Sequence, residues 1–162
     1  MVKFPRTVQF DISDKNTFPV VAEPEEWALT GTFAFADSEP QQLSNKEQLA
    51  FRNGWLGIGS FGFSTFVVVA EITQDQFETV ISRIAGHLFE HYEAPDMLAA
   101  AKAARIEADY AANLCHHPLE TILAIDREFT EEGIRERVRV ISKQTDTMHA
   151  KIWAVVNDDG EN

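Results

Sequence analysis

With 162 residues, 44% of them hydrophobic, the chain is long enough for one core; its longest apolar runs, 66–70 and 97–101, fall far short of the roughly 20 residues of a membrane-spanning helix. A balance of 14 Lys and Arg against 26 Asp and Glu, −12 net, argues against nucleic acid and anionic membrane surfaces as partners. One cysteine, Cys115, excludes an internal disulfide and, with no secretory or lipidation pattern opening the sequence, points to the cytoplasm.

Residues 1–156 read as one domain and 157–162 as a flexible acidic tail. Val2, Phe4, Arg6, Val8 and Phe10 alternate as a first strand that stops in the turn-rich stretch Ser13 to Asn16. A second strand is predicted over Trp27–Ala36, with Trp27, Leu29, Gly31, Phe33 and Phe35 on one face. Ser44 with Glu47 forms a capping box for a short helix that turns Leu49 and Phe51 inward and ends near Gly54. The glycine-rich stretch after it reads as a helix-to-strand loop that needs positive φ at Gly54 or Gly57 and is anchored by Trp55, Ile58, Phe61 and Phe63. Phe61–Ile72 follows as a strand covered on both faces.

The second helix is marked by Phe77, Val80, Ile81, Ile84, Leu88 and Tyr92 at three-and-four spacing, after Thr73 as N-cap and before Pro95. Asp96 caps a third helix from Met97 to about Cys115. Met97, Ala101, Ala104, Ala108 and Cys115 fall on one side of it, and Ile106, Tyr110 and Leu114 on the other, so it calls for two neighbours. Strands are expected over Thr121–Glu128, Ile134–Ser142 and Ala150–Val156, the middle one also making an acceptable short helix. This order lacks βαβ alternation. It predicts an α+β fold: a mostly antiparallel sheet of about five or six strands with three helices mainly on one face.

Gly57, Gly59 and Gly62 match the dinucleotide fingerprint G-x-G-x-x-G, but a helix precedes them and a strand follows, the reverse of what pyrophosphate binding needs. His87 and His91 stand four apart, the spacing for two imidazoles on one metal, and His116 and His117 beside Cys115 could join them. The plainer reading is histidines placed where helix ends favour positive charge. Cys115 reads as buried packing, Ser60 lacks a nucleophile elbow, and no carboxylate pair stands out as acid and base. Arg135, Arg137 and Arg139 share a strand face that could hold an anion, yet among Glu128, Glu131, Glu132 and Glu136 they read as a solvated edge strand. Seven large rings crowd residues 33–66, more than one small sheet face absorbs. Trp55 or Phe61 could therefore line a pocket or a docking patch.

Segments 26–37 (EWALTGTFAFAD), 53–68 (NGWLGIGSFGFSTFVV) and 133–141 (GIRERVRVI) resemble a small bacterial family of uncharacterised proteins, over most of the chain. The resemblance implies no activity, cofactor or catalytic residue. Two readings follow. One is a non-catalytic binding or accessory module, self-associating or contacting a protein partner through Trp55, Phe61, Ile106 and Tyr110, with no cofactor expected. The other is a small-molecule or metal-dependent enzyme with its site at His87 and His91.

Overall fold

The computed structural model describes residues 2–9, 17–143 and 153–157. Within them the fold is α+β. The strands are β1 (Val2–Val8), β2 (Ala28–Leu29), β3 (Trp55–Gly57), β4 (Phe63–Ser64), β5 (Phe66–Ile72), β6 (Ile122–Thr130), β7 (Gly133–Lys143) and β8 (Trp153–Asn157). The helices are α1 (Asn45–Asn53), α2 (Gln74–His91) and α3 (Met97–Asn113). One sheet has the order β1-β5-β6-β7-β8 and the other β2-β3-β4, and every pairing within them is antiparallel. The small sheet is joined to the free edge of β1 by an Arg6–Trp27 bridge, with the Thr7 amide donating to the Glu26 carbonyl at 2.7 Å.

Local chemistry accounts for the helix starts. The Ser44 hydroxyl accepts from the Glu47 amide at 3.1 Å while the Glu47 carboxylate accepts from the Ser44 amide at 2.8 Å. Thr73 and Gln76 repeat the exchange at α2, at 3.1 and 2.9 Å, and the Asp96 carboxylate accepts from the Ala99 amide at 2.8 Å. These contacts satisfy amides that the first helical turn otherwise leaves unpaired. Helices α2 and α3 run antiparallel, tied across by Arg105 and Glu78 at 3.1 Å.

The core falls into three clusters. Phe77, Val80, Ile81, Ile84 and Leu88 of α2 meet Phe4, Leu29 and Ile72 and the alanines at 100, 104, 108 and 111 of α3, whose small side chains let the helix approach closely. Val67, Val69, Leu123, Ile125 and Val138 pack with Trp55, Ala28 and Cys115. Phe18, Phe35, Ala50 and Phe51 form the third, around α1.

Several expectations need correction. Trp27–Ala36 is not one strand: Ala28 and Leu29 form a two-residue strand beside the single Trp27 bridge, Gly31 turns the chain at φ 81°, and Thr32–Phe35 coil into a 3₁₀ turn. A Cβ on Gly31 would come within 2.6 Å of Leu56 Cβ, so close approach reinforces the need for glycine there. Trp55–Gly57, read as loop, pairs on both sides, and Gly54 takes an ordinary φ of −95°. Leu49 points outward. On α3 the buried face is 100, 104, 108 and 111, while Met97 is exposed and Ala101 half-buried. The stretch 134–141 is strand, and it lies inside the sheet between β6 and β8 rather than at an edge. Phe10, the turn at 13–16, residues 150–152 and the tail beyond Asn157 lie outside the described residues, and Asn157 itself closes β8.

Candidate functional site

The hairpin loop between β3 and β4 is built around a carboxylate. Glu26 Oε1 accepts from the amides of Gly59 and Ser60, both at 2.8 Å, and Oε2 accepts from the Glu23 amide at 2.5 Å. A Cβ on Gly57 would stand 2.5 Å from that Oε1, and one on Gly62 would stand 2.6 Å from the backbone of Val21. The glycine spacing that imitates a phosphate loop is thus explained by the chain's own acid and by the close backbone of Val21 and Ala22. The amides that would face a pyrophosphate already hold the Glu26 carboxylate.

The loop closes with Phe61 in the left-handed region at φ 57°, which a bulky side chain rarely enters. Its amide donates to the Gly57 carbonyl at 3.0 Å. Its ring lies flat on the imidazole of His87, centroids 3.8 Å apart and planes 6° from parallel. His91 follows one turn on, 4.9 Å from His87 between centroids, and Tyr92 meets Phe33 edge to face at 5.3 Å. Burial, reinforced by the charge of His91 and opposed by Glu90, holds the His87 imidazole below its ordinary pKa, and burial raises the Tyr92 phenol.

Along α2, Gln76, Thr79, Arg83, Gly86, His87, Glu90 and His91 recur at helical spacing and form one wall of a trough. The opposite wall comes from Glu25–Trp27, Ile58–Phe61 and, at the far end, Phe33, Ala34, Asp37 and Ser38. Three hollows of about 320, 460 and 390 Å³ follow one another along it; the first two share Arg83 and the last two His91. From Asp75 to His91 the α2 wall of the trough runs about 24 Å at the helical rise of 1.5 Å per residue. Gly86 is half-buried in the middle of this wall, and a Cβ built on it would meet nothing within 4 Å.

Of the residues singled out from sequence, Phe61, His87 and His91 come together here. Trp55 does not: it is 0% exposed, its ring in the core with Ala28 and Cys115, so it cannot serve as a docking ring. Ile106 and Tyr110 lie on the outer side of α3, Ile106 being 68% exposed. The side of α3 that was to want a second neighbour is thus largely solvated, and the Tyr110 hydroxyl is spent on Glu136 at 2.6 Å. Burial first, then Glu136, pushes that phenol far above its ordinary pKa, and burial together with Glu136 raises Glu107. Cys115, His116 and His117 follow the C-terminus of α3 at Asn113, the end away from His87 and His91, because the two helices are antiparallel. Among the described residues no group of three His, Cys, Asp or Glu converges on one point.

Two features escaped the sequence reading. One is the trough wall itself, with Arg83, Gly86, Glu90 and Glu93. The other is Arg127, whose side chain is fully buried and whose five N–H groups are all used. Nε donates to Thr32 Oγ1 at 2.7 Å, Nη1 to the carbonyls of Phe51 (2.7 Å) and Ala50 (3.3 Å), and Nη2 to those of Gly54 (2.9 Å) and Thr30. It caps the C-terminus of α1 from another element, and burial lowers its pKa to about 10, Glu136 opposing. Arg135 lies against Glu128, and Arg137 and Arg139 share Asp126, to which Arg139 Nη2 donates at 2.9 Å, so each of the three is paired within the chain, three cations on two carboxylates.

A family model described as a family of unknown function, DUF6505, matches residues 1–158. The chain belongs to that family. No curated protein and no solved structure matches it. The DUF6505 model therefore covers the trough, the Glu26 loop and the Arg127 knot together, and brings no activity to any of them. None of the described helices is long and apolar enough to cross a membrane.

Proposed function

We propose that this DUF6505 chain is a non-catalytic binding module that works through protein–protein contacts, with the trough along α2 as its working surface. The observation that carries this reading is Gly86. A glycine inside a helix costs about 1 kcal/mol relative to alanine, and here nothing among the described residues packs within 4 Å of where the added methyl would stand. The fold has no need of the glycine, so the room it leaves serves an occupant from outside. Phe61 supports the same reading: a bulky residue in left-handed backbone costs about 1–3 kcal/mol, and such strain clusters at binding sites. A cytoplasmic address goes with it, supported by a lone cysteine that is buried. A photo-cross-linking residue placed at Arg83, and separately at Ile106, tests it in cells. The same protein is expected in adducts from position 83 and absent from those at 106; no adduct at 83 beyond the level at 106 refutes it.

A second reading, a metal-dependent or small-molecule enzyme, is supported by the 4.9 Å approach of His87 and His91 in the same trough. Thermal unfolding against divalent metals, nucleotides and common cofactors tests it, because a ligand of the native state raises the midpoint. A shift lost in His87→Ala and His91→Ala favours it, and a flat panel removes it.

A further inference from the structure

We propose that the occupant of the trough is a basic segment of a partner protein, with Lys or Arg spaced among apolar residues; this rests on the binding reading above. The argument is the trough's charge after its internal pairs are set aside. Glu25 is taken by Arg6 at 2.5 Å and Glu26 by three backbone amides. Asp75, Glu90, Asp37 and Glu93 remain along the rim, against Arg83 as the one Lys or Arg among the lining residues. Among the described residues Asp37, Asp75 and Glu93 form no ion pair, and Glu90 has only His91 at 3.9 Å.

Rings alternate with these carboxylates. Trp27 lines the first hollow, Phe61 the second, and the Phe33–Tyr92 pair the third, between Asp37 and Glu93. Ring faces beside unpaired carboxylates suit a guanidinium or ammonium whose alkyl stem also needs an apolar bed. The chain supplies its own example at one end of the trough, where the Arg6 guanidinium lies 5.6 Å from the Trp27 ring centre and pairs with Glu25. Gly86, at the centre, removes the side chain that would block a continuous segment. A chain carrying −12 also draws a cationic partner and repels an acidic one.

The test is a titration of the ¹⁵N-labelled full chain with a synthetic peptide of Lys, Arg and Leu, and with counterparts in which Gln or Glu replaces every Lys and Arg. The basic peptide is expected to move the amide signals of Gly59, Phe61, Arg83, Gly86 and His87. The combined variant Asp37→Asn, Glu90→Gln, Glu93→Gln is expected to weaken it about tenfold, the scale of three exposed charge pairs. A control, Glu128→Gln with Glu131→Gln and Glu132→Gln on the β6–β7 hairpin, is expected to change the affinity less than twofold. Equal weakening in the control overturns the inference, since attraction would then be to overall charge. Equal or tighter binding of the Gln or Glu peptide in the trough overturns the cationic occupant while the binding reading stands. No movement in the trough with any of the three peptides overturns the inference, and the cross-link at Arg83 then decides separately whether the binding reading falls as well.

Discussion

Replacing Gly86 by alanine separates a residue kept for the fold from one kept for an occupant. Gly86 is the thirteenth of the 18 residues of α2, well inside the helix, so the full propensity difference applies. That difference is about 0.8–1.0 kcal/mol in favour of alanine. The added methyl meets no atom within 4 Å, so neither a clash nor a packing gain modifies it. Gly86→Ala is therefore expected to stabilise the protein by about 1 kcal/mol, which for a chain of this size raises Tm by roughly 2–4 °C. Urea unfolding followed by circular dichroism measures it, with an unchanged slope expected. Gly86→Leu, which fills the trough, is expected to keep at least wild-type stability and to abolish the cross-link from Arg83. An alanine variant less stable than wild type would refute the reasoning, because the glycine would then serve something inside the fold.

Other outcomes follow from the same contacts. Arg127→Met leaves Glu136 without its counterion and removes the donor shared by five acceptors, and is expected to cost about 3–5 kcal/mol in urea unfolding. Arg127→Lys keeps the charge but has three donors for five acceptors, so it is expected to restore only part of that loss. Glu26→Ala frees the amides of Gly59, Ser60 and Glu23, and a loss of about 2 kcal/mol is expected, with faster hydrogen exchange at Gly59 and Ser60. His87 has its pKa lowered by folding, so the unfolded chain binds its proton first. Its contribution is whole above pH 6.5 and is lost as pH falls through the folded pKa. Wild type is thus expected to lose more stability between pH 7.5 and pH 5 than His87→Asn, and equal losses would show that the imidazole has no such role.

The helices were legible because their signals are local. Thr73, Ser44 with Glu47 and Asp96 announce three N-termini through hydrogen bonds spanning three residues, and the structure forms all of them, adding Gln76 as the reciprocal partner of Thr73. The reading failed where distant groups decide. Alternation continues from Trp27 through Phe35, yet the Thr30 carbonyl and Thr32 hydroxyl are taken by Arg127, about a hundred positions away, and the chain coils there. Trp55–Gly57 is too short, and too buried on both sides, to alternate at all. The trough was half legible. Its α2 wall repeats at helical spacing through Gln76, Thr79, Arg83, Gly86 and Glu90, a signal the reading passed over, whereas the open space beside Gly86 is visible only in the structure. The facing wall is assembled from three separate loops, and nothing in their local sequence says that they meet.

Arg127 also fixes an order of events. Its guanidinium joins Thr30, Thr32, the end of α1 and β6, groups separated by 73 to 97 positions. During synthesis the first half of the chain can form α1 from its own capping box, but the carbonyls at the end of that helix wait for a residue not yet made. The aromatic cluster around Phe35 and Phe51 is therefore finished late, when β6 arrives and threads its arginine among them. Until then those rings and carbonyls lack the arginine that closes over them, and truncations that stop short of β6 leave them without closure.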